Sequence, residues 1–505
     1  MQLRLTPAVM KRLVPLIPIA LVLIAQAAVG PSFFDDAYIS FRYARNIALG
    51  QEFVYNPGEP VLGTTTPLFT LVLALIATLS GPDAIPPASF LVSLAADCAS
   101  AWLIFRLART AFTSNWAATF LSAAWALHPL RLSVAVGGME ASLITLLLLA
   151  AFERLIVSRS FTAGAAFAAL SVLTRPDSII ALAPIFGYLL LRDRPFAFNT
   201  SLLALVLTVP WLIWSTMYFG GPIPNSMLAK GLAYQNLPGF AAYFILGFLG
   251  TGTVGQFNIT PLLLGSAILS VTVISIGSFN LARRESRFLP LVAFGPLFLT
   301  IMALANAPMF FPWYYLPILP SLLFSIAACL WFLPGVSTVV RRGVFSLTLV
   351  ALLAVPSYFI HFSPSWPLSR DREAAYFHAC SYLRSSVTPS EVVLAPDVGV
   401  IGWCLPNARI LDPVGLISTD ALARARAWSQ GPAVALPLML AVKPDYIVSL
   451  EMYLTSIDSS SEFLNDYQLV WEETVAITGQ AQDLRIYARR ADVSGPFLTS
   501  RQASN

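Results

Sequence analysis

The sequence predicts an α-helical polytopic membrane protein of about eleven transmembrane helices, followed by a C-terminal extracytoplasmic α/β domain. Three observations carry that class. Hydrophobic residues make up 57% of the 505 positions and charged residues only 11%, which excludes a soluble globule. Apolar runs of about 17 to 24 residues recur through residues 1–361, long enough to cross a bilayer. Basic clusters fall at alternate gaps between those runs.

The first run, near 13–30, follows Arg4, Lys11 and Arg12 with no small-residue cleavage site behind it, and reads as a retained helix. Further spans are expected near 86–108, 115–131, 139–155, 160–174, 176–191, 196–219, 258–281, 288–306, 312–333 and 343–361. The clusters Arg106/Arg109, Arg154/Arg159, Arg192/Arg194, Arg283/Arg284/Arg287 and Arg341/Arg342 then all face the cytoplasm. Residues 67–80 are apolar but only about 14 long, so they are expected to lie on the outer surface. Were they to cross, Arg109 and Asp35 would share a side.

The outer side collects loops 31–85 and 219–257 and most of the remaining titratable residues: Asp35, Asp36, Glu52, Glu59, Glu140, Arg175, Asp177 and Lys230. From 362 to 505 the charge density rises and the apolar segments shorten. Ser369 to Ser385 reads as a helix with a serine cap and an acidic first turn. Glu391–Ala395, Arg409–Leu411, Tyr446–Leu450, Tyr467–Val475 and Leu484–Ala488 read as strands. Cys98 and Cys329 fall in spans, while Cys380 and Cys404 share the tail, and their pairing stays open at this level.

Paired carboxylates at a bilayer lip are costly to keep, because charge near hydrocarbon loses its hydration. After Asp35 and Asp36, Ile39, Tyr43 and Ile47 recur every four residues and Gly50 closes the run, which predicts a short helix along the membrane surface. One carboxylate is expected to cap that helix, leaving the other for general-base work on a hydroxyl acceptor. Arg175 and Lys230 are the cations on offer to a lipid phosphate. Their bland alternatives are an ion pair with Asp177 and interfacial snorkelling. Glu140 sits at a helix start, where an acid is favoured anyway. Asp97 is a mid-span acid, expected to bond a neighbouring helix. His128 and His361 are not spaced for metal. No cofactor is certain, and a divalent cation on Asp35, Asp36 or Asp177 stays open. Trp403, Asp412 and Tyr453 offer saccharide contacts, although a tail tryptophan is more often core.

The block Asp35-Asp-Ala-Tyr-Ile-Ser-Phe-Arg-Tyr-Ala-Arg-Asn46, then Val54-Tyr-Asn-Pro-Gly-Glu59 and Gly63-Thr-Thr-Thr-Pro-Leu68, resembles the first outer loop of superfamily C glycosyltransferases. The closest pattern is that of the terminal β-arabinofuranosyltransferases of actinobacterial cell walls. Gly138-Met-Glu140, Thr174-Arg-Pro-Asp177, Pro224-Asn-Ser226 with Lys230, and Trp313-Tyr-Tyr315 resemble later signatures in the same order. The resemblance covers about the first 330 residues well and the tail only loosely.

It implies inverting transfer of a sugar, with arabinofuranose suggested, from a polyprenyl-phosphate donor to a cell-envelope glycan or lipid acceptor. The site would lie outside the bacterial cytoplasmic membrane, with the lipid bilayer and no nucleic acid as further partner. The base maps onto Asp35 or Asp36, with relatives favouring the first. Arg42, Glu140, Asp177, Asn225 and Tyr314 map onto substrate-binding positions. Thr64-Thr-Thr-Pro67 stands where many relatives carry an aromatic before Ser-Pro, and Asp177 where many carry Glu, which leaves the acceptor open. The alternative is a transporter or flippase for lipid-linked saccharides, which repeat halves and a polar midplane path would mark.

Overall fold

A computed structural model describes residues 13–233, 238–255, 258–362, 370–431, 434–435, 437, 440–454, 461–477, 480–490 and 498–499. The chain divides into two compact units. One comprises 1–31, 89–211 and 239–363; the other comprises 32–88, 212–238 and 364–505. This partition cuts the chain differently from a single boundary at 361/362. Most of the first outer loop, together with residues 212–238, folds with the tail.

The first unit is helical. Among the described residues, five helices are long and apolar enough to cross a membrane: Pro82–Phe112, Arg194–Phe219, Pro261–Arg284, Ser286–Leu304 and Thr338–Tyr358. The other expected spans form shorter apolar helices, among them Leu16–Val29, Phe161–Thr174 and Leu319–Trp331. The stretch 115–131 breaks at His128-Pro129 into helices Asn115–Leu127 and Pro129–Ala135, because proline supplies no amide to continue the first. Small residues set the helix packing. A Cβ on Gly277 of Pro261–Arg284 would overlap the Ser325 carbonyl on Leu319–Trp331, and Ser278 and Ser325 hydroxyls meet at 2.9 Å. The mid-span acid is paired as expected: Arg131 Nη1 donates to Asp97 Oδ2 at 2.8 Å and to Gln26 Oε1 at 3.2 Å, all three buried.

The second unit is built on a mixed six-stranded sheet of order β2-β1-β3-β5-β4-β6. Its strands are β1 Val392–Leu394, β2 Arg409–Leu411, β3 Tyr446–Leu450, β4 Tyr467–Ile477, β5 Gln480–Arg489 and β6 Leu498–Thr499. β1 pairs in parallel with β2 and β3, β3 and β4 each pair antiparallel with β5, and β6 runs parallel to β4. Leu394, Leu411, Ile447, Phe463, Tyr467 and Tyr487 form its core. The tail helix runs Arg370–Ser386, one residue beyond the expected end; the expected serine cap, Ser369, lies outside the described residues. Helix Pro67–Ser80 belongs to this unit, and at 14 residues spans about 21 Å, short of the ~30 Å hydrocarbon core.

What draws the first loop into the second unit is a set of buried polar bonds. Asn56 treats β2 as a strand partner, accepting from the Ile410 amide (3.1 Å) and donating to its carbonyl (2.9 Å). Tyr55 donates its hydroxyl to the Val398 carbonyl at 2.6 Å, and Glu59 meets Arg409 at 2.7 Å. The Asn56 and Tyr55 bonds satisfy groups that burial would otherwise leave unpaired, while the Glu59–Arg409 pair is exposed.

Candidate active site

The surface helix forms over Asp35–Ala48 and closes before Gly50, which adopts a left-handed φ of 74°. Its cap differs from expectation. The N-cap position is Phe34, and neither carboxylate caps this helix; both stand in its first turn, where negative charge suits the helix dipole. Asp35 instead caps a helix from the tail. Its two oxygens accept from the amides of Gly399 (3.0 Å) and Val400 (2.8 Å), at the start of helix Gly399–Cys404. The approach is so close that a Cβ on Gly399 would overlap the Asp35 carbonyl.

Asp35 is only 3% exposed. Burial pushes its carboxyl up to about 7, with Asp397 adding repulsion, while Arg372 and the Val400 amide pull the other way. Its amide donates to Glu373 Oε1 at 3.3 Å, and that carboxylate also takes the Arg372 fork at 3.2 and 2.7 Å. Tyr376 donates to Asp397 at 2.5 Å. A disulfide joins Cys380 and Cys404, with Cα atoms 6.0 Å apart, tying helix Arg370–Ser386 to the helix that Asp35 caps.

Asp36 points elsewhere. Its Oδ2 accepts from Lys230 Nζ at 2.6 Å, and the two side chains stay 23% and 14% exposed. Lys230 comes from helix Asn225–Ala233, which is held by Asn225: its amide donates to the Leu62 carbonyl (2.8 Å) and its side chain to that of Ser418 (3.1 Å). The second unit therefore presents a carboxylate and an ammonium together at a partly open position.

Arg42 is placed differently from a substrate ligand. It is fully buried and spends all five N–H groups: on the carbonyls of Tyr55, Gly402, Leu405 and Ala408 and on Asn56 Oδ1, at 2.7 to 3.4 Å. Four other residues expected at the site lie in the first unit. Arg175 forks onto Asp177 at 2.9 and 2.8 Å and meets Glu140 at 2.5 Å, its guanidinium 4.9 Å from the Tyr314 ring. The bland partner of Arg175 is thus in place, and a second acid joins it.

The tail residues are structural. Trp403 is buried under the Arg45 guanidinium, 3.5 Å from the ring centre, and Asp412 accepts from the Val414 and Ile417 amides. Tyr453 packs 5.7 Å from Trp428. Among the described residues, a divalent cation finds no ready donor set. The oxygens of Asp35 face amides, Asp36 meets Lys230, Asp177 meets Arg175, and no three metal-type side chains gather among the described residues.

The fold as a whole is the GT-C membrane fold. Over 95% of this chain it matches two crystal structures of ArnT from Cupriavidus metallidurans. The one bound to undecaprenyl phosphate is covered to 99%, with a TM-score of 0.58 and 13% identity. The apo form is covered to 98%, with 0.57 and 14%. At such identities the likeness shows the fold alone. A model for a domain of unknown function (DUF8728) matches residues 369–493. No curated protein matches the chain.

Proposed function

We propose that the protein is an inverting membrane glycosyltransferase. It moves a sugar from a polyprenyl-phosphate donor to a cell-envelope glycan or lipid, on the outer face of the bacterial cytoplasmic membrane. The observation that supports this most is the partly exposed pair of Asp36, on the surface helix, with Lys230, in a chain that shares the fold of ArnT. ArnT has been crystallised with undecaprenyl phosphate, which is the kind of leaving group that an ammonium suits.

In this reading the donor phosphate takes Lys230, and Asp36 is released from its cation. Asp36 then accepts the proton of the acceptor hydroxyl, whose oxygen attacks the anomeric carbon. The bond from that carbon to the phosphate oxygen breaks, and polyprenyl phosphate leaves with the electron pair, neutralised by Lys230. Asp36 rather than Asp35 takes the proton because geometry precedes basicity: Asp35 is enclosed and both its oxygens are engaged. Asp35 holds the tail against the surface helix. Arg175 as a phosphate ligand rests on the resemblance only, since its fork already holds Asp177.

The test supplies radiolabelled polyprenyl-phosphate sugars, arabinofuranose among them, to purified protein with and without acceptor glycan. Transfer that needs both donor and acceptor is expected. Movement of lipid-linked saccharide across vesicles without any transfer would replace the enzyme with the flippase alternative.

A further inference from the structure

At its C-terminal end, the long helix Ile85–Phe112 carries Trp102, Arg106, Arg109 and Thr110 within nine residues. Spacings of four and three bring Trp102, Arg106 and Arg109 to one face. That face opens on a cavity of about 420 Å³, also lined by Pro15 and Phe105. The Arg106 guanidinium lies 4.7 Å from the Trp102 ring centre, which fixes its direction. Arg106 also reaches Glu153 at 3.3 Å, but Glu153 is shared with Arg154 at 3.2 Å, so the cavity keeps an excess of positive charge. Arg109 is exposed and has no hydrogen-bond or ion-pair partner among the described residues.

The bland reading is two solvated arginines at a helix end. The cavity and its layering argue for more. From Trp102 to Arg109 the helix rises about 10 Å, comparable to the headgroup layer of a bilayer. Trp102 and Phe105 give the cavity an apolar wall, and Arg106 and Arg109 give it charge. Basic pockets between membrane helices at this depth suit phosphate headgroups, and a guanidinium fork grips two phosphate oxygens at once.

We propose that this cavity binds the phosphate headgroup of an anionic phospholipid in the leaflet that carries the basic helix ends. This site is separate from the Asp36–Lys230 pair and independent of any transfer reaction. The test is native mass spectrometry of the full chain in detergent, titrated with phosphatidylglycerol, phosphatidylcholine or inorganic phosphate. Phosphatidylglycerol should bind at least about fivefold more tightly than phosphatidylcholine, and Arg109→Gln should remove about fivefold of its affinity, the effect of one cation near an anionic headgroup. Arg109→Lys should keep part of it. Because the Arg109 side chain holds no hydrogen-bond or ion-pair partner among the described residues, its loss should leave folding intact, which the thermal midpoint of the lipid-free variant checks. Equal binding of the two lipids, or wild-type affinity in Arg109→Gln, would overturn the proposal. Saturation by inorganic phosphate at the lipid's concentration would also overturn it, by making the cavity a site for soluble anions.

Discussion

Two ion clusters of this molecule contain the same ingredients and differ in what they leave over. In the first unit Arg175 faces two carboxylates, Asp177 and Glu140, with side chains 8%, 14% and 2% exposed. Its fork is filled. In the second unit Lys230 meets Asp36 at 2.6 Å, with the two side chains 14% and 23% exposed. A buried, doubly satisfied cation contributes to the architecture, because any ligand must displace an acid that has nowhere else to go. A flexible ammonium held to a partly exposed carboxylate can exchange partners. The difference teaches that charge type alone does not mark a phosphate site; how deeply the partner acid is buried, and whether the cation grips it through a rigid fork, matter as much.

The sharpest break of this comparison is Arg175→Ala. Removing the cation leaves buried Glu140 and half-buried Asp177 uncompensated, and the expected loss of stability is about 3 kcal/mol, read by thermal or denaturant unfolding in detergent. Arg175→Lys keeps charge but loses the fork, so it should fall between. If Arg175→Lys instead left stability unchanged and raised donor KM, Arg175 would belong with the phosphate after all.

Next is Asp36→Asn, which keeps shape and removes the proton acceptor. Turnover should fall by at least about a hundredfold, the usual reach of a general base, with donor affinity held or improved as Lys230 loses its competitor. Near-normal turnover in Asp36→Asn combined with a dead Asp35→Asn would reverse the roles assigned to the two acids.

Lys230→Ala should act on the donor, weakening its affinity roughly tenfold and lowering turnover as well, because the same cation meets the departing phosphate. Added salt should narrow the difference from wild type, since the pair is partly open.

The last test is the pH response of Asp35. Its folded-state carboxyl is raised to about 7 from an ordinary 3.8. A raised acid favours the folded state below about pH 4, and that contribution is lost as pH climbs through about 7. Unfolding midpoints measured from pH 4 to 8 should therefore fall more steeply in wild type than in Asp35→Asn. Parallel curves would mean that Asp35 is better hydrated than its enclosure implies.

Much of the fold was legible because its signals are local. Apolar run length and helix periodicity are read from neighbours in sequence, so the helix Asp35–Ala48 and the strands Arg409–Leu411 and Tyr446–Leu450 emerge where their patterns place them. Where patterns ran short, the reading was less complete. Several expected spans are helices under 18 residues, and proline at 129 splits one of them.

The sequence by itself determined the class of the protein, the location of its paired acids, and the two cations worth weighing. Only the tertiary structure decided what each of them does. The first-loop signature looked like a substrate-binding block. Yet Arg42, Tyr55 and Asn56 make their bonds to residues 398–410, more than 340 positions away. Asp35 and Asp36 are adjacent in the chain but point in different directions on a helix, so one is enclosed by Gly399 and Val400 while the other meets Lys230. Residue type states which bonds a side chain can make. Which bonds it does make depends on partners that only folding brings near, because hydrogen bonds and ion pairs act over a few ångströms of space, whatever the distance along the chain.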